Sequence, residues 1–295
     1  SDSHDETHYN PGILVRMAER TGETSLLDLL TYVPGRQGEW RVGLYLRNLL
    51  WWDGTLSPER PVTDAYLANG AVARMVSTTT DGKQVVVAIK AGHNAENHNQ
   101  NDIGSFIVHA DGETLLCDPG AGLYTRQYFS SVRYDNIFAN SYGHSVPRIN
   151  GTLQPQGRQY EGRFLGVDLT GTIKKAGVDL TAAYAVDGLT QLVRAITVEP
   201  GGVVRLNDAY EASTPLTMEE ALMTWLPVEV HGATAVVRGQ KRSLRLTIEG
   251  PTGAAFAVEE LTEACTANKK PLLRRISFTL PAAVEGVARI KMQVE

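Results

Sequence analysis

Ala95–Gly120 reads "AENHNQNDIGSFIVHADGETLLCDPG". It opens on a polar run, Glu96 to Asp102, turns apolar, and closes on Asp118-Pro119-Gly120. "SFIVHA" has the composition of a half-buried strand, and Asp111-Gly112 is a hairpin signal, because that dipeptide tolerates the positive φ angles of a tight turn. A loop needs only a Gly, a Pro or an Asn-Gly to reverse the chain. The polar run, with His98, Asp102, Glu96 and several amides, therefore carries far more hydrogen-bonding capacity than a turn requires. Amides at such density are there to be bonded.

Outward from this stretch the same grammar repeats. "AVARMVSTT", "KQVVVAIKA", "VDLTAAYAV", "QLVRAITVEP", "VVRLNDAYE", "SLRLTIEG", "RRISFTL" and "VARIKMQVE" read as strands, and Asp81-Gly82 and Asp187-Gly188 as further hairpin signals. No ten-residue helices fall between them to carry parallel crossovers. Residues 65–295 are therefore predicted to be an antiparallel β-sandwich of two or more stacked sheets, which makes the chain mainly β.

Residues 1–55 read differently. Pro11 suits a first helical turn, Ile13, Leu14, Met17 and Ala18 form an apolar stripe, and Gly22 is a stop. Ser25 is a candidate cap for "LLDLLTY", and Trp40, Leu44, Arg47 and Trp51 recur at helical spacing before Gly54. Residues 56–64, with Pro58 and Pro61, read as a linker.

The 295 residues suffice for a sizeable core, and a net charge of -5 without any Lys/Arg-rich run argues against a nucleic-acid partner. Two cysteines, Cys117 and Cys265, make neither a disulfide framework nor a metal knuckle; Cys117 lies in an apolar run and reads as a buried free thiol. No apolar run reaches membrane-spanning length, so no membrane partner is expected. The chain begins without Met, as a mature or truncated start does. Its expected compartment is the bacterial periplasm or cell envelope, with the cytoplasm as the alternative. Oligomeric state stays open.

His98, Asp118 and His144 lie on polar, non-periodic segments rich in turn residues, unlike His109, which sits inside a strand run. Imidazole titrates near neutral pH, so His98 is a candidate proton-transfer residue whose tautomer Asp102 could hold. Asp118 reads either as a strand-ending turn or as a carboxylate ligand held by that turn. "GHSVP" at Gly143–Pro147 is not a nucleophile elbow, because Pro147 stands where the second Gly is needed. Tyr124, Arg126, Tyr128, Arg133 and Tyr134 interleave as residues that grip a carboxylate and stack on a sugar ring would, or as an ordinary surface loop would.

Taken together, "HNQNDIGSFIVHADGETLLCDPGAGLYT" and "NSYGHSVPRINGTLQPQG" resemble the heparinase II/III-like family of polysaccharide lyases, from about Lys90 to Gly157. The resemblance implies an N-terminal α/α toroid followed by an antiparallel β-sandwich, with residues 1–55 as the end of the toroid. Three helical segments are too few to close one, so a C-terminal fragment of a longer enzyme is expected, with the toroid of the parent protein as partner. The family pattern, His-x-His-x-Asp before "GSF", places His98 in the catalytic cleft. It implies a structural zinc held by the second position, here Gln100 in place of the usual His, together with Asp118 and His144. Tyr124 is the second catalytic candidate, and Asn97, Asn99, Arg126 and Tyr128 are expected to bind substrate. The implied reaction is β-elimination on an acidic, uronic-acid-containing polysaccharide. The alternative is a non-catalytic β-sandwich that binds saccharide or mediates assembly.

Overall fold

The computed structural model describes residues 10–31, 42–58 and 61–295. The chain divides into two compact units, a helical one within residues 3–62 and a β-rich one from Thr63 to Glu295.

In the helical unit, α1 (Pro11–Thr21) starts on the Oδ1 of Asn10, which accepts from Ile13 N–H, and stops at Gly22 in the left-handed conformation. The next segment, Thr24–Leu29, is a 3-10 helix, and its cap is Glu23. Ser25 is the donor there, through its backbone N–H and its hydroxyl, and so is not the expected cap. Helix α2 spans Val42–Trp51; Trp40, expected on the same helix, lies outside the described residues. Arg47 and Asn48 backbone atoms press so closely on Gly12 that an added Cβ would stand 2.3 Å from a carbonyl oxygen, which locks the α1–α2 approach to glycine.

The β-rich unit is an antiparallel sandwich. Its strands are β1 (Ala65–Leu67), β2 (Val72–Thr78), β3 (Gln84–Lys90), β4 (Gly92–Asn94), β5 (Phe106–Ala110), β6 (Glu113–Leu116), β7 (Arg148–Ile149) and β8 (Gly157–Asp168). They continue as β9 (Lys174–Asp179), β10 (Leu189–Glu199), β11 (Val203–Thr224), β12 (Val228–His231), β13 (Thr234–Arg238), β14 (Ser243–Gly250), β15 (Ala257–Glu260) and β16 (Arg274–Val294). The small sheet has order β1-β2-β3-β5-β6. The large sheet runs β12-β13-β14-β16-β11-β10-β9-β8-β4, with β15 on β16 and β7 on β11.

Alternation along each strand builds the core. In β3, Val85, Val87 and Ile89 are buried while their neighbours are half-exposed. Together with Met75, Phe106 and Val108 they belong to one apolar cluster with Ile196, Leu206, Leu246, Ile290 and Met292 of the large sheet. Fully burying each such side chain contributes roughly 1.5–3 kcal/mol. A second, smaller cluster holds both buried cysteines, Cys117 and Cys265, with Phe138, Met223, Leu261 and Leu273.

Asp81-Gly82 and Asp111-Gly112 do turn hairpins, and Asp111 and Gly112 carry φ of 51° and 82° as a primed turn requires. Asp187-Gly188 instead ends a longer connection between β9 and β10. The expected strand over "VDLTAAYAV" stops at Asp179, whose carboxylate accepts from the backbone and hydroxyl of Thr181 and starts a 3-10 turn over Thr181–Ala183. That side-chain bond outcompetes the ladder. Strand β8 was missed in the sequence because three glycines and several charges hide its alternation.

Candidate active site

The polar loop lies where the sheets meet. After β3 in the small sheet the chain enters the large sheet as β4, and the segment 95–105 brings it back to the small sheet at β5. Local bonds fix that return. Gly104 N–H donates to Lys90 O at 2.8 Å, and Asn101 N–H donates to Ala139 O at 2.9 Å. Gly104 has φ of 89°, and a Cβ there would meet Leu180 Cδ1 at 2.8 Å, so only glycine fits.

Gln154 bridges this loop to the segment carrying His144. Its amide accepts from Ile103 N–H at 3.0 Å and donates to Ile103 O at 2.8 Å, while its backbone N–H donates to Ser141 Oγ at 2.9 Å. Asn101 Nδ2 donates to Gln154 O at 3.0 Å. A 3-10 turn at Ser141–Gly143, capped by Asn140, then presents His144.

The outcome is a convergence of three groups. Ligand atoms of Asp102, Asp118 and His144 all lie within 4.8 Å of one another. Asp118 is held by its own turn, with Oδ1 accepting from Gly120 N–H at 2.7 Å. Lys90 Nζ donates to Asp102 Oδ1 at 2.6 Å. Burial pushes the Asp102 carboxyl up, but the nearby positive charges, Lys90 foremost, together outweigh it and hold Asp102 below its ordinary value. Burial pushes His144 down, against the pull of Asp118 and Asp102. Both ring nitrogens of His144 are buried without a hydrogen-bond partner among the described residues. Two carboxylates and a neutral imidazole with both nitrogens orphaned form a donor set that fits a divalent zinc ion. Lys90, Asp102, Ser105 and Asp118 also wall an adjoining recess of about 180 Å³.

Asp102, which the sequence offers as a candidate to hold the His98 tautomer, stands in the acid–imidazole cluster. Gln100, the expected third ligand, is buried in the same loop.

His98 is exposed and has φ of 56°, a left-handed backbone that is strained for a residue with a Cβ. Immediately after it, the Asn99 carbonyl is gripped by Arg133, whose Nε and Nη2 donate at 3.1 and 2.9 Å. The same guanidinium lies 4.2 Å from the centroid of the Tyr128 ring. Tyr128 in turn stacks on Tyr124 at 5.5 Å, and Phe129 meets Tyr124 edge-on at 4.8 Å. Tyr124 and Phe129 are exposed, as are Asn97 and Arg126.

Two expected substrate-binding residues, Tyr128 and Asn99, lie buried. Tyr128 is 2% exposed and its hydroxyl accepts from Gly122 N–H, so it props the ledge under Tyr124 and Phe129. Asn99 is also buried, and its Nδ2 donates to Asn101 Oδ1 and to the Tyr134 hydroxyl, which commits it to holding the loop.

No protein-family model matches the chain, and no curated protein matches it. Solved structures do. The chain is similar to heparan sulfate lyase HepC from Pedobacter heparinus, with 12% identity and a TM-score of 0.66 over 95% of this chain and 42% of that one. A heparinase III structure aligns at 14% identity and a TM-score of 0.63, over 97% of this chain and 53% of its own. A heparinase III gene product with methylated lysines aligns at 16% and 0.64, over 86% and 39%. The chain thus has the fold of these structures, and it spans about two fifths to half of their length. Among the described residues no helix is long and apolar enough to cross a membrane.

Proposed function

We propose that the chain is the C-terminal portion of a polysaccharide lyase that cleaves a uronic-acid polysaccharide by β-elimination. The observation that carries the reading is His98: exposed, held at positive φ, with the next carbonyl locked by Arg133. Strain of about 1–3 kcal/mol at a surface residue is kept where it serves a site.

The chemistry makes three demands. The proton on the sugar carbon next to a carboxylate is a weak acid, so the carboxylate must first be neutralised or hydrogen-bonded. A base then removes the proton, and an acid protonates the leaving glycosidic oxygen. His98 supplies proton transfer, and Tyr124, on the aromatic ledge, is the second candidate. Arg126 and Asn97 offer a cation and an amide to an acidic sugar. The groups still needed come from the helical toroid of the parent protein, of which residues 1–55 are the end.

Asp102, Asp118 and His144 would hold a zinc ion, with Gln100 in the same loop. When bound, the ion would neutralise the buried Asp102 carboxylate and the half-buried Asp118 carboxylate and tie three segments together. It is a structural element behind the catalytic loop. A bacterial periplasmic or envelope location suits a substrate too large to enter the cytoplasm.

The test is direct, because unsaturated uronates absorb in the ultraviolet. The chain, alone and joined to its natural upstream sequence, is incubated with a panel of uronans. Absorbance is expected from the longer protein and lost in His98→Ala. Absence of product from both, with retained oligosaccharide binding, would favour the second reading, a saccharide-binding sandwich, for which the exposed Tyr124 and Phe129 ledge is the supporting observation.

A further inference from the structure

Arg194 has no solvent exposure, yet every N–H of its guanidinium is used. Nη1 donates to Gly104 O at 2.7 Å and to Ser145 O at 2.6 Å. Nη2 donates to Asp208 Oδ2 at 2.5 Å and to Glu220 Oε1 at 2.8 Å. Nε points at both oxygens of Asp208, each 3.0 Å away. Asp208 is the direct cross-strand neighbour of Arg194 in the β10–β11 ladder.

The two carbonyls are not arbitrary. Gly104 lies two residues beyond Asp102, and Ser145 directly follows His144. No ladder joins these segments. Beside the Gln154 and Asn101 bonds, one planar nitrogen ties together the two loops that deliver an acid and an imidazole to the same place, at the residues nearest those groups. Asp208 and Glu220 behind it, both on β11, hold the guanidinium plane in the large sheet. A stability role alone would not select this arrangement, since buried ion clusters are often no better than apolar packing.

We propose that Arg194 is the positioning residue of the Asp102–Asp118–His144 site, setting its geometry through the Gly104 and Ser145 carbonyls. The zinc part of this inference rests on the reading of that cluster as a divalent-ion site. A lysine here keeps the charge for Asp208 but concentrates its donors at one point and cannot span both carbonyls.

The experiment compares the unmodified chain, Arg194→Lys, Asp208→Asn and a distant core variant, Ile248→Ala, well below every melting midpoint. Zinc affinity is measured by calorimetry, and hydrogen exchange is followed in segments 99–105, 141–147 and 234–250. Arg194→Lys is expected to weaken zinc binding at least tenfold and to lower protection in 99–105 and 141–147 together, with 234–250 unchanged. Ile248→Ala is expected to lower the melting midpoint without moving zinc affinity. Unchanged loop protection in Arg194→Lys, or loss shared evenly with 234–250, overturns the proposal. If that variant does not fold, Asp208→Asn is read by the same criteria. If neither folds, the unmodified chain decides: the two loops must open as one unit, and separate exchange rates overturn the proposal. Absence of zinc binding by the unmodified chain would sink the ion reading alone, and the exchange criteria would still decide the role of Arg194.

Discussion

Lys90 Nζ lies 2.6 Å from Oδ1 of Asp102, whose side chain is 1% exposed. Lys90 itself is raised above its ordinary value: burial pushes it down, and Asp102, with Glu96 and Asp118, more than reverses that. The two partners agree, so the pair is charged on both sides, and the acid–imidazole cluster has a resident cation at its edge.

Lys90→Met therefore has two expected effects. Without metal it leaves a buried carboxylate uncompensated, at a cost of about 3 kcal/mol in denaturant unfolding, the low end for a buried pair because Lys90 keeps some water contact. With one positive charge removed beside the site, zinc affinity rises about tenfold or more. Unchanged affinity in calorimetry would show that Lys90 does not compete with an ion.

His98→Gly separates strain from function. Glycine adopts φ of 56° without penalty, so the melting midpoint holds or rises, by up to about 1 kcal/mol of stability. Activity of the full-length enzyme is nonetheless expected to disappear. A variant that kept its turnover would remove His98 from the reaction.

Glu220 gives a pH dependence with a definite sign. Burial, followed by the nearby Asp208 carboxylate, raises its carboxyl well above the ordinary value. The folded state thus binds this proton more tightly than the unfolded state does. The stabilisation is complete below the ordinary carboxylate value and is lost as pH rises through the raised one. In Glu220→Gln the melting midpoint should lose that decline toward alkaline pH, while an amide oxygen still accepts from Arg194. An identical pH profile for both proteins would contradict the assignment.

The ledge yields a contrast between neighbours. Tyr128→Phe removes one acceptor for Gly122 N–H and should destabilise by about 1 kcal/mol, with oligosaccharide affinity unchanged. Arg126→Ala, on an exposed side chain, should leave the melting midpoint alone and weaken binding of an acidic oligosaccharide. The reverse pattern in titrations would restore Tyr128 as a contact residue.

The sandwich was legible because strand alternation and Asp-Gly turns are local signals. Val85, Val87 and Ile89 announce their buried face within seven residues. Asp118 and His144 could be singled out from their turn-rich settings, but not their pairing with Asp102, since Asp102 and His98 are neighbours in sequence and the loop's fold decides which way each faces. Tyr128 and Asn99 looked like surface residues because a bonded loop interior has the composition of a loop exterior. Arg194 did leave a trace. It shares the inward phase of β10 with Leu192, Ile196 and Val198, as Asp208 does in β11 with Leu206 and Tyr210. A charge on the core phase of a strand calls for a counter-charge on the core phase of its neighbour, and that test can be applied to a sequence alone.

Strand β16 lies in the middle of the large sheet, paired to β11 on one side and β14 on the other. During synthesis it emerges after every strand it must join. Until Arg274–Val294 leaves the ribosome, β11 and β14 present open ladders and the apolar face that holds Leu206 and Leu246 has no centre. The sandwich thus cannot close until β16 has emerged, an interval in which a holding chaperone has the most to bind.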